Sequence, residues 1–185
     1  YAGDIDSIAR LAPGPGTRLL HGAYLFGCTA LMDNGVDGPR LRRTLDWPFP
    51  GLGRLVEVAW QRGPAGDYLN VTWPGFAGVL TAVAPGRFGA AINQAPLREP
   101  PEHLLRRAFE TCGTFEAACA LLRSAPVARP VLFTLIGARA GEHIEIEREE
   151  TAARPLAGEA AVANAWREER GGWEGRVCGA GMPGE

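Results

Sequence analysis

Cys28, Arg43 and Asp46 are the side chains whose types and spacing could do chemistry together, and all three fall between Gly27 and Trp47. Cys28-Thr-Ala-Leu-Met alternates as a strand does, and Leu41-Arg-Arg-Thr-Leu-Asp-Trp reads as a second strand returning along it. Between them Asp33-Asn-Gly-Val-Asp-Gly-Pro is dense in turn residues, and Asn34-Gly35, the strongest hairpin signal in the chain, predicts the turn. In an antiparallel pair the far end of the second strand lies beside the start of the first, which brings Arg43 and Asp46 back to Cys28. A free thiol with a pKa of about 8.5 is only a few per cent thiolate at neutral pH, and an adjacent guanidinium favours the charged, nucleophilic form. The plain alternative is a small packing residue beside a structural ion pair.

The elements that must hold this hairpin follow from periodicity. Ile5 to Leu11 predicts a short helix, ended by Pro13-Gly-Pro-Gly, and Leu19 to Phe26 a strand leading into Gly27. Trp47-Pro-Phe-Pro-Gly-Leu-Gly is an apolar loop suited to shaping a pocket. Arg54–Arg62, Tyr68–Trp73, Gly78–Val83 and Phe88–Asn93 read as four strands of a meander, rich in β-branched and aromatic residues and separated by Gly/Pro turns. The period then lengthens. Pro101–Cys112 carries an apolar stripe of Leu104, Leu105, Ala108, Phe109 and Cys112, and Thr114 is the N-cap of a second helix running to Arg123. Strands resume at Val131–Gly137, His143–Arg148 and Ala160–Trp166. The expectation is one α+β domain, a helical pair over a mostly antiparallel sheet.

Composition narrows the function classes. A chain of 185 residues is long enough for a substantial core, and 46% hydrophobic against 22% charged residues is globular. A net charge of −2 gives no footprint for nucleic acid, and no apolar run is long enough to span a bilayer. Cys28, Cys112, Cys119 and Cys178 lack zinc-like spacing, and His21, His103 and His143 have no ligand-spaced partners, so no metal or cofactor is expected. The two serines, Ser7 and Ser124, sit in no nucleophile elbow, which argues against a Ser-His-Asp hydrolase. The start at Tyr1 and the glycine-rich stretch Gly175–Glu185 suggest a fragment or processed form. The compartment (cytoplasmic or exported) and a homo-oligomeric state are left open.

Four passages, in order, resemble the cysteine branch of the N-terminal-nucleophile hydrolases: Gly27-Cys-Thr-Ala, Arg43-Thr-Leu-Asp-Trp, Gly75 to Asn93, and Val162-Ala-Asn-Ala-Trp. The likeness is to acid ceramidase and N-acylethanolamine acid amidase, with penicillin V acylase and choloylglycine hydrolase further off. The resemblance implies a four-layer αββα sandwich, here incomplete at its C-terminus, that hydrolyses linear amides. It implies Cys28 as nucleophile, Arg43 beside the thiol, Asp46 holding the free amine of Cys28, and Asn164 donating to the oxyanion. Asn93, Gln94 and Arg176 are further oxyanion or substrate candidates. Gln94 stands where acid ceramidase has an acid, and Thr44 where the family often has Asn. The mechanism needs a cut between Gly27 and Cys28, so residues 1–27 would be a leader or pro-segment and 28–185 the hydrolase domain. An acyl amide is the expected substrate, with Trp47, Phe49, Trp60 and Trp73 shaping a pocket for a lipophilic or aromatic acyl group. The alternatives are an acyltransferase of the same family, a non-catalytic or truncated member kept for binding, and an unrelated β-rich binding domain.

Overall fold

The computed structural model describes residues 2–11, 27–46, 52–93, 101–127, 131–148 and 152–162. Helix α1 (Ala2–Leu11) comes first, followed by the hairpin β1 (Gly27–Gly35) and β2 (Gly38–Asp46). A 3₁₀ turn at Leu52–Leu55 leads into the meander β3 (Glu57–Gln61), β4 (Tyr68–Thr72), β5 (Thr81–Ala84) and β6 (Phe88–Asn93). Helices α2 (Pro101–Thr111) and α3 (Phe115–Ser124) precede β7 (Val131–Gly137), β8 (His143–Arg148), β9 (Ala153–Ala157) and β10 (Ala160–Val162). The strands form two antiparallel sheets, a large one in the order β3-β4-β5-β6-β7-β8-β9 and a small one in the order β10-β1-β2.

Three layers stack among the described residues: the α2–α3 pair, the large sheet, and the small sheet lying over β6 and β7. Period-two alternation decides which side chain enters which layer. On β6 the side chains of Phe88, Ala90 and Ile92 join the core under the helices, while Ala91 and Asn93 face the small sheet; every residue of the strand is buried. The helix-side core is the larger one. In it Phe109 of α2 stacks on Phe88 and Tyr68, with ring centroids 4.6 and 5.3 Å apart. Between the sheets a thinner cluster packs Ala30 and Met32 against Leu132, Ala160 and Val162.

The local devices have clear causes. Thr114 caps α3, its hydroxyl accepting from the Ala117 N–H at 3.1 Å. Between β5 and β6, Pro85 presets the turn and Gly86 takes the positive φ of 73° that a type II turn demands, closed by Arg87 N–H to the Ala84 carbonyl at 3.0 Å. Two arginines tie the helices down: Arg87 donates to the carbonyls of Phe109 and Cys112 at the end of α2, and Arg148 to those of Leu122 and Ala125 at the end of α3.

Several sequence expectations shift. The hairpin turns at Val36-Asp37, between the paired Gly35 and Gly38, two residues beyond Asn34-Gly35. This register puts Cys28, Ala30 and Met32 on one face with Leu45, Arg43 and Leu41, and leaves Pro39 near the hairpin end instead of mid-ladder. It also sets Asp33 between Arg40 and Arg42, at 2.7 and 2.5 Å, and the Arg40 hydrogen bond is the main cause of its lowered pKa. Gly38 accommodates the tight return with φ 121°. The first helix starts earlier, at Ala2, and β3 starts later, at Glu57, after the 3₁₀ turn. Strand β9 escaped the sequence reading because Pro155 sits in it; as an edge strand it tolerates the missing donor. β10 joins the small sheet beside β1. The expected strand at Leu19–Phe26 and the loop at 47–51 lie outside the described residues.

Candidate active site

Cys28 is the second residue of β1, opposite Leu45 of β2, and its side chain faces the large sheet, 4% exposed. Arg43 stands opposite Ala30, one diagonal step from Cys28 on the same face, a separation that a long side chain spans. Its Nη2 donates to Cys28 Sγ at 2.9 Å and to the Ile92 carbonyl at 2.6 Å, while Nη1 donates to Thr81 Oγ1 at 2.9 Å. The guanidinium thus leaves the small sheet and is held from the large one, by β5 and β6. The small side chain of Ala30 leaves space for this crossing.

Asn93, at the end of β6, is fully buried beneath the same strand. Its Nδ2 donates to the Cys28 carbonyl at 3.1 Å and to the Val162 carbonyl at 2.8 Å. An amide NH2 has two hydrogens, and both are committed to backbone. The residue expected to contact oxyanion or substrate therefore ties β1 and β10 to the large sheet, which is the ordinary work of a buried asparagine.

A cavity of about 290 Å³ opens beside the guanidinium. Leu41, Arg43, Thr44 and Leu45 come to it from β2, Val56 from the segment before β3, Val71 and Trp73 from the end of β4, and Leu80 and Thr81 from the start of β5. It is apolar except at one end, and at the small end of the size range for ligand sites. The chain between Trp73 and Thr81 is positioned from below. Val79 N–H donates to the Glu102 carbonyl at 3.1 Å, Arg106 Nη1 to Ala77 O at 2.8 Å, Asn70 Nδ2 to Gly78 O at 3.1 Å, and Ile92 N–H to Leu80 O at 3.0 Å. Helix α2 therefore fixes one wall of the cavity from the opposite face of the sheet.

The residues singled out in the sequence fall into three groups. Cys28 and Arg43 meet, with Trp73 lining the cavity beside them. Trp60 does not line it: the indole is 62% exposed on edge strand β3 and donates through Nε1 to Asp67 at 2.9 Å. Asp46 pairs with Gly27 in the hairpin register, and its side chain is outside the described set. Trp47, Phe49, Gln94, Asn164 and Arg176 also lie outside the described residues. Thr81 and the Ile92 carbonyl were missed. A threonine in a strand looks like any β-branched residue, and a carbonyl has no letter of its own; the signal available was that both fall within the Gly75–Asn93 passage.

No protein-family model and no curated protein matches the chain. Among solved structures, it is similar to a Caenorhabditis elegans N-acylethanolamine-hydrolyzing acid amidase (NAAA) ortholog, with a TM-score of 0.60 and 18% sequence identity, over 70% of this chain and 63% of that one. The chain thus spans less than two thirds of that structure's length. The likeness establishes the fold: two stacked antiparallel sheets with a helical pair on the large one, the layered α+β sandwich expected from the sequence.

Proposed function

We propose that this chain carries the active site of a cysteine amidohydrolase that cleaves linear amide C–N bonds, with Cys28 as nucleophile. The observation that carries the reading is the contact of Arg43 Nη2 with Cys28 Sγ at 2.9 Å, on the second residue of a strand inside this fold. A guanidinium that close leaves no room for an intervening water and stabilises the thiolate over the thiol. The similar solved structure, an N-acylethanolamine-hydrolyzing acid amidase ortholog, supports the same reaction class.

In this reading the Gly27–Cys28 bond is cut, residues 1–27 act as leader or pro-segment, and the residues from Cys28 onward form the hydrolase domain. The freed α-amine, with an ordinary pKa near 7.8, takes the thiol proton as sulfur attacks the amide carbonyl, and returns it to the departing amine. Water then attacks the thioester, releasing the acid and regenerating the thiol. Asp46 stands in register beside Gly27, so the new amine forms next to its backbone position. The oxyanion donor is assigned to Asn164, two residues beyond β10; one such donor is typically worth about 3 kcal/mol in the transition state. The apolar cavity receives the acyl group, with Arg43 at its reacting end.

Intact-mass measurement tests this directly. The expected result is a species cut before Cys28, labelled on that residue by a thiol-reactive acyl analogue, with Cys28→Ala abolishing both cleavage and label. A protein never cut there and never labelled there would overturn the proposal. Adding an amine acceptor and identifying the product separates hydrolysis from acyl transfer.

A further inference from the structure

We infer that Thr81 is the positioning residue that aims the Arg43 guanidinium at the Cys28 sulfur. The inference rests on the amidohydrolase reading and adds to it the residue that makes the thiol–guanidinium contact persistent. Arginine is long and has many rotamers to give up, so a single contact to sulfur does not hold it. Arg43 starts from the small sheet, and the other acceptors described for it belong to the large one: Thr81 Oγ1 at 2.9 Å and the Ile92 carbonyl at 2.6 Å. Those two fix the plane of the fork, and with the plane fixed the second hydrogen of Nη2 is directed at Sγ at 2.9 Å. Of the two, Thr81 is the one the sequence chooses through a side chain.

The residue type suits the task. A β-branched side chain on a strand has few χ1 states, so its hydroxyl is an acceptor at a fixed place. Its register fixes it further, with Thr81 paired to Ala91 on one side and Val71 on the other. The hydroxyl is also neutral. A carboxylate at this position would bind the guanidinium more tightly and offset the charge that sulfur needs, whereas a hydroxyl orients it and leaves that charge available. Accepting from Nη1 leaves the hydroxyl's own hydrogen free to turn toward the cavity that Thr81 lines.

The test measures the rate of Cys28 alkylation by iodoacetamide against pH in the full chain, with the labelled residue identified by mass spectrometry. It requires neither cleavage nor turnover. The charged group described in contact with Cys28 is Arg43 from β2; Asn93 from β6 and Thr81 from β5 are uncharged. Thr81→Val keeps the shape and removes the acceptor, and is expected to move the profile to higher pH and slow labelling at pH 7 by about three- to tenfold, a full pH unit being tenfold. Thr81→Ser keeps the acceptor and is expected to stay within about twofold of the parent protein. Thr81→Ala serves in place of the valine variant should valine disturb folding. A valine or alanine profile that superimposes on the parent's, or a folded serine variant as slow as valine, overturns the inference. Arg43→Met separates the two levels: if it slows labelling and Thr81→Val does not, the amidohydrolase reading stands without Thr81. If Arg43→Met leaves labelling unchanged, the activated thiol falls as well.

Discussion

Cys28 and Cys119 are buried to a similar depth, 4% and 9% exposed, on opposite sides of one sheet. Cys119 lies on α3 in the layer between helices and large sheet, among Phe109, Leu122 and Phe133. Burial pushes its thiol up to about 12, so it stays protonated and inert. Cys28 lies in the layer between the two sheets, where a guanidinium reaches its sulfur and an asparagine holds its carbonyl. Depth alone therefore says little about a cysteine. What separates the two is the company each layer admits. Around Cys119 the helix side is filled with stacked rings and aliphatic chains, and its buried Arg148 is spent on the carbonyls of Leu122 and Ala125 at the end of α3. The inter-sheet side is lined with small residues such as Ala30, Ala91 and Ala160, whose modest volume lets polar groups cross from one sheet to the other.

The largest effect that would sharpen this contrast is expected from Phe109→Ala. The ring stacks on both Phe88 and Tyr68 and is fully buried, so its removal should cost about 3–5 kcal/mol, read as a fall in the urea unfolding midpoint. The labelling rate of Cys28 in molecules that remain folded should not change. A drop in that rate would mean the two layers are not separable.

An intermediate effect is expected from alkaline pH. The folded Cys119 thiol keeps its proton up to about pH 12, while the unfolded chain releases it near pH 9. Across that window the unfolded state binds fewer protons than the folded one, so stability should fall as pH rises. Tyr68, also pushed by burial up to about 12, adds to the fall above pH 10. Urea midpoints at pH 8 and pH 10.5 measure it, and Cys119→Ala should flatten the difference. In the folded protein at pH 8, Cys28 should be alkylated at least tenfold faster than Cys119. Equal rates would break the comparison.

The smallest effect is expected from Trp60→Ala. The ring is exposed on an edge strand with one hydrogen bond to Asp67, so stability should change by no more than about 0.5 kcal/mol and Cys28 labelling not at all. A marked loss of either would put Trp60 back among the residues that serve the site.

Much of this was legible in the sequence, for reasons that particular residues make plain. The α2 stripe repeats at helical period, and Leu105, Ala108 and Phe109 are the residues it buries. Antiparallel pairing in the hairpin was enough to bring Arg43 back toward Cys28, and the observed register sets the two on one face. The turn was misplaced because Asn34-Gly35 is a local preference, and the register answers to the whole hairpin. Pro155 hid β9, since a proline argues against a strand until the strand is known to be an edge. Thr81 carried too little signal to be singled out: it acts through one hydroxyl whose partner, Arg43, lies on a strand of the other sheet.

The grip of Asn93 on the carbonyl of Cys28 has a consequence for a chain opened just upstream of that residue. A strand beginning at a fresh terminus loses its covalent tether and tends to peel away from its neighbours. Here the first residue after the break stays pinned by an amide from the sheet beneath, and the same amide grips Val162 at the end of the adjoining strand. The new terminus would be born already anchored, with its sulfur kept in register.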